Sequence, residues 1–180
     1  AITMPYTYYQ PYVFSSQNAI PPEMFIGRRE ELRKIIDPAG VNIVYGGRQL
    51  GKSALLKKAF ADVDHNETND RAVYVDVNRC NYEDAAKEVY KKLCAAKILA
   101  KRLEVVDWEN LCDALYERMT SETKERIPYL LLLIDEADEF IASSVPVNYK
   151  PIEKLKKLQE TLPGRFKFVM AGLRNVVRFN

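Results

Sequence analysis

One histidine, three cysteines and seven glycines occur among 180 residues, and each shortage closes a class of chemistry. The single histidine, His65, has no second histidine to share a metal with, which excludes most histidine-based metal and triad chemistry. Enzyme chemistry in this chain therefore falls to Lys, Asp, Glu, Ser and backbone groups. Cys80, Cys94 and Cys112 are odd in number and form no CxxC pair. They argue against a disulfide framework or a zinc site and suit a reducing cytoplasmic compartment. Excess charge is also missing: 27 Lys+Arg stand against 25 Asp+Glu, a net +2. That balance excludes a strongly basic nucleic-acid arm and an acidic tail, and leaves DNA only a local patch. No apolar run approaches the ~18 residues of a membrane span, so no membrane partner is expected. The N-terminus shows no basic region followed by an apolar stretch, hence no visible secretory signal.

What is present divides into two parts. Residues 1–24 hold four of the nine prolines (Pro5, Pro11, Pro21, Pro22) and four of the eleven tyrosines (Tyr6, Tyr8, Tyr9, Tyr12), with Glu23 their only charged side chain. Proline blocks helix and favours extended chain. This segment reads either as a leader lying across the domain surface or as a docking segment for a partner. Residues 25–180 read as one domain core of alternating helices and strands, a length that fits about one domain at ~100–200 residues.

Within that core, 28–36 reads as a short helix and 41–45 as a short apolar strand. Residues 52–60 read as a helix, and 72–77 as a β-branched strand. Asn81 and Asp107 each stand where an N-cap is needed, ahead of apolar residues at helical spacing. Those spacings put Cys94 and Cys112 on core faces, as small buried hydrophobes. Residues 129–134 form an unbroken apolar run, as a strand covered on both faces requires. Pro151 suits the first turn of a helix that ends at Pro163-Gly164. Residues 166–171 form a last strand. Strands separated by helices give an α/β domain with a parallel sheet.

Two motifs carry chemistry. Gly46-Gly47-Arg48-Gln49-Leu50-Gly51-Lys52-Ser53 matches GxxxxGK[ST], a phosphate-binding loop. Its glycines let successive N–H groups turn inward toward an anion, and the helix that follows adds its N-terminal dipole. Lys52 is suited to the β- and γ-phosphates and the Ser53 hydroxyl to Mg²⁺; Ala54 continues the helix start beside them. The second motif is Leu130-Leu131-Leu132-Leu133-Ile134-Asp135-Glu136. A carboxylate closing a buried apolar strand is costly unless it meets a cation or donors. Asp135 is thus a metal-binding residue, directly or through water, and Glu136 a general base for an attacking water. Asp138 and Glu139 read as the start of a solvated helix or loop. The Lys-rich stretches 87–92 and 150–157 read as solvated helix faces.

With these motifs the chain resembles the P-loop NTPases of the AAA+ and STAND type. Phe25-Ile26-Gly27-Arg28-Arg29-Glu30-Glu31-Leu32 is similar to the F-x-G-R-x-x-E-L box that precedes the loop in STAND, archaeal-type and replication-initiator ATPases. The resemblance implies a three-layer α/β fold in which a sensor strand separates the Walker B strand, ending at Asp135, from the P-loop strand. It implies adenine contacts from Phe25, Ile26, Gly27 and Arg28, and a γ-phosphate sensor at Arg174 or Asn175. It also implies ATP and Mg²⁺ as cofactors. A fifth strand and a helical lid, usual in these families, have no counterpart up to Asn180, so further C-terminal domains of the same protein are expected. The implied activity is ATP hydrolysis that drives conformational change or assembly, with a homo-oligomer formed through the ATP interface as a possible state. The alternative is a slowly hydrolysing, nucleotide-gated signalling or scaffold switch that recruits a partner.

Overall fold

The computed structural model describes residues 27–47, 51–64, 69–100, 103–121 and 126–172. Among the described residues four strands carry the fold: β1 (Ile43–Tyr45), β2 (Arg71–Asp76), β3 (Leu130–Asp135) and β4 (Phe166–Gly172). They form one parallel sheet in the order β1-β4-β3-β2. The last strand in sequence therefore lies between the first and the third, as the resemblance implies. Register aligns Tyr45 with Gly172 and Asp76 with Asp135, so all four C-terminal strand ends meet at one sheet edge.

Six α-helices cover the sheet among the described residues: α1 (Arg29–Ile36), α2 (Lys52–Asp64), α3 (Tyr82–Ala95), α4 (Trp108–Thr120), α5 (Asp138–Ser144) and α6 (Lys150–Thr161). Side chains on a strand alternate between faces, and here both faces are apolar. Leu131, Leu133, Val169 and Ala171 face α1 and α2, against Ile35, Leu55, Leu56 and Ala59. Leu130, Leu132, Ile134, Phe166, Phe168 and Met170 face the other way, against α3 to α6. This double coverage explains the unbroken apolar run of β3 and the mostly apolar β4, interrupted only by Lys167.

The caps form as the sequence indicates. Asn81 Oδ1 accepts from the Asp84 amide at 2.8 Å and Asp107 Oδ1 from the Asn110 amide at 2.8 Å. Helix α2 runs a turn beyond the expected 52–60, because Val63 finds a buried place under the sheet. Helix α5 was not legible beyond its polar start. Its register sinks Phe140, Ile141 and Ser144 into the core, and Phe140 stacks on Trp108 at 5.0 Å. Cys112 is buried as expected; Cys94 is only half-buried.

Helix α1 is fastened to the sheet at its C-terminal end. Lys167 of β4 is wholly buried, and its Nζ donates to the carbonyls of Lys34, at 2.9 Å, and Asp37. The Tyr129 hydroxyl donates to the Ile36 carbonyl at 2.9 Å. These carbonyls are the orphan acceptors every helix leaves at its end, and a cation there suits the helix dipole. Gly40 lets the chain turn back against α1, since a Cβ at this position would fall 1.8 Å from the Lys34 carbonyl oxygen. The opposite end of α1, at Gly27 and Arg28, is thereby held toward the start of α2.

Candidate functional site

The phosphate-loop motif spans the end of β1 and the start of α2. Gly51 has φ +70°, a left-handed backbone that a glycine adopts without penalty. It passes the chain directly into α2, whose first turn closes through the Leu55 amide to the Gly51 carbonyl at 2.9 Å. Lys52 is buried, 8% exposed. Its ammonium donates to the carbonyls of Gly46, at 3.0 Å, and Gly47, at 2.9 Å. The lysine thus folds back toward Gly46 and Gly47, at the start of the motif. Ser53 and Ala54 are half-buried in the first turn of α2.

Asp135 closes β3 and is 1% exposed. Its burial is matched by donors on both oxygens. Oδ1 accepts from the Glu136 amide at 3.0 Å, and Oδ2 accepts from the Tyr74 hydroxyl at 2.7 Å. Burial, and then this carboxylate, push the Tyr74 phenol well above its ordinary value, so it stays a proton donor at all physiological pH. Lys57 of α2 places its ammonium 5.7 Å from the Tyr74 ring centroid, within reach of a cation–π contact.

Glu136 has φ +53°, a left-handed conformation that costs a non-glycine residue roughly 1–3 kcal/mol. The strain is held by its neighbours: the Ala137 amide bonds the Ala171 carbonyl of β4 at 2.8 Å. Burial raises the Glu136 carboxyl above its ordinary value; Asp135 and Asp138 add to the rise, and Lys52 opposes it. Asp138 stands beside the end of β4, where a Cβ on Gly172 would meet Asp138 Oδ1 at 3.2 Å. Asp138 and Glu139 begin helix α5 as expected, Glu139 exposed and Asp138 half-buried beside this edge.

Arg28 comes to the same place from α1. Its Nη1 would lie 3.5 Å from a Cβ on Gly51, and its Nε pairs with Glu31 at 3.6 Å. Gly27 precedes it, exposed. Phe25, Ile26, Arg48, Gln49, Leu50, Arg174 and Asn175 lie outside the described residues, as does the leader 1–24. Sequence reasoning missed Tyr74. Its signal was a tyrosine two residues before Asp76 on an apolar strand, which carries no meaning until β2 is known to lie beside β3.

A three-layer parallel sheet, with a GxxxxGKS turn at the end of one strand and an Asp-Glu pair at the end of another, separated by a third, is a P-loop NTPase fold. Its backbone is similar to that of the Walker-type ATPase PABY2304 of Pyrococcus abyssi, with a TM-score of 0.58 and 18% identity over 88% of this chain and 48% of that one. The chain spans about half the length of that protein. By sequence, no family profile and no curated protein matches the chain. No helix among the described residues is long and apolar enough to cross a membrane.

Proposed function

We propose that this domain binds ATP with Mg²⁺ and hydrolyses it, as an ATPase of the AAA+/STAND type. One observation carries the reading. The order β1-β4-β3 brings Lys52, at the start of the helix after β1, and the Asp135-Glu136 pair, at the end of β3, to one sheet edge. Ligands of open α/β sheets bind at that edge.

The donor set suits the ion. Among the described residues no three His, Cys, Asp or Glu side chains gather as a metal cage. Mg²⁺ does not need one, since it is usually held by one or two protein oxygens, phosphates and water. The Ser53 hydroxyl and the Asp135 carboxylate are such oxygens. When bound, the ion neutralises charge on the β- and γ-phosphates. Lys52 holds phosphate oxygens, and loop amides cradle the remainder. Glu136 accepts the proton of the water that attacks the γ-phosphate, a task its raised carboxyl favours. In this reading Phe25, Ile26, Gly27 and Arg28 contact the adenine, and Arg174 or Asn175 senses the γ-phosphate. Hydrolysis then drives rearrangement of this domain against further domains or another copy.

Two variants test the reading by nucleotide-binding titration and phosphate release. Lys52→Ala removes charge-assisted bonds to phosphate and should cost about 3 kcal/mol, roughly 100-fold in affinity. Glu136→Gln should bind ATP within about threefold of the parent while turnover falls by roughly 10²–10⁴, the usual share of a general base. Unchanged turnover in Glu136→Gln would remove that residue from its role.

A further inference from the structure

Tyr74 belongs to neither motif, yet it touches the carboxylate on which the site depends. It sits on β2 opposite Leu133, two residues before Asp135 on the adjacent strand. Partners in register point to the same face, so Tyr74, Leu133 and Asp135 all project toward α2. The phenol extends along that face to the sheet edge and ends at Asp135 Oδ2, 2.7 Å away. Lys57 holds the ring from the α2 side. The ring is therefore fixed between a helix and a strand, and its hydroxyl has a defined direction.

A carboxylate on a single Cβ turns about its terminal bond over a broad range. At Asp135 that freedom is removed at both oxygens, one by a backbone amide and one by a phenol. Each oxygen can accept about twice, so both retain a lone pair with the carboxylate plane held. We propose that Tyr74 is a positioning residue for Asp135: it holds the carboxylate in the orientation that meets the nucleotide-bound Mg²⁺. The proposal rests on the reading of Asp135 as a metal-binding residue. Residues that hydrogen-bond a metal-bound carboxylate set metal affinity, and their loss costs about 10–100-fold. A phenol suits this task because it donates one directed bond and adds no charge that would compete with the ion. Nucleotide affinity without metal does not depend on this bond, since Lys52 and the loop amides carry it.

The test is titration of MgCl₂ into the protein with ATP, for the parent chain, Tyr74→Phe, Tyr74→His and Asp135→Asn. Bound nucleotide is followed by fluorescence and turnover by phosphate release. Tyr74→Phe keeps the ring and the Lys57 contact and loses only the donor. Its half-saturating Mg²⁺ concentration should rise about 10–100-fold, with metal-free ATP affinity within about twofold and turnover restored at saturating Mg²⁺. Tyr74→His keeps a donor and should fall between the parent and Tyr74→Phe; it stands in as the test if the Phe variant does not fold. A Mg²⁺ requirement unchanged in both Tyr74 variants but raised in Asp135→Asn would overturn the positioning role alone. A requirement unchanged in Asp135→Asn would overturn the metal assignment of Asp135 and the proposal with it. Turnover lost in Tyr74→Phe that saturating Mg²⁺ does not restore would also count against the role.

Discussion

Lys167 shows how much one side chain can decide. Burial pushes its ammonium down to about 8, from an ordinary 10.5, even though it donates to the Lys34 and Asp37 carbonyls. The folded value lies below the unfolded one. Between pH 8 and 10.5 the unfolded chain therefore holds a proton that the folded chain has released, and stability rises with pH across that window. Below it both states are protonated and the slope vanishes. Burial raises the thiol of Cys112 to about 12, which acts in the opposite sense in alkali, so the measurement has to be a difference. Urea unfolding of the parent and of Lys167→Met from pH 7 to 10.5 should give a gap that grows in the parent's favour by at most about 1.4 kcal/mol per pH unit. A flat gap would place the titration of Lys167 outside folding. The sequence offered only a lysine inside the apolar stretch Phe166-Lys167-Phe168; its partners are carbonyls 130 residues and more away. The left-handed backbone of Glu136 was equally hidden, since no side-chain pattern announces it.

Elements differ in how far they are held. Strand β3 is buried at every position, whereas β1 is an outer strand of the sheet among the described residues and leaves Ile43 and Tyr45, with Val41 just before it, at 44, 58 and 42% exposed. These three alternate, so they lie on one face, while Val44 packs toward α1 and α2. Removing a core residue loses both transfer energy and packing, and removing one from the edge loses little. Leu133→Ala should destabilise by about 2–5 kcal/mol and Ile43→Thr by about 1 kcal/mol or less, both read from denaturant midpoints. Similar losses at the two sites would mean that Ile43 is covered. Apolar content alone marked both segments as strands. It could not tell an edge from a centre, because that depends on the neighbours each strand acquires. Strand β1 is also shorter than the 41–45 segment; just before it, Asn42 Nδ2 donates to Gln159, at 2.6 Å, and to the Phe168 carbonyl, at 2.8 Å.

At the scale of the molecule, binding and folding are linked. A ligand held only by the folded chain stabilises it by about 2.7 kcal/mol at 100 times its Kd. For a chain of this size that is a rise in Tm of roughly 5–10 °C. Mg·ATP should produce it in the parent and not in Lys52→Ala, by differential scanning fluorimetry; an equal rise in both would separate nucleotide binding from the loop. Exposed lysines of α3 and α6 are interleaved with acids, as in the pairs Lys87–Asp84 at 2.8 Å, Lys91–Glu88 at 3.6 Å and Lys154–Glu109 at 2.5 Å. The chain's local order was readable from residue order: helix caps at Asn81 and Asp107, apolar runs for β3 and β4, the GxxxxGKS turn and the closing Asp-Glu pair. Each of these depends on neighbours within a few positions, where spacing and residue type suffice. The seat of Lys167, the exposure of β1 and the Tyr74–Asp135 bond could be settled only by folding. They join residues 60 or more positions apart, and the choice among such partners is made by burial, which acts on the assembled sheet and on no single segment.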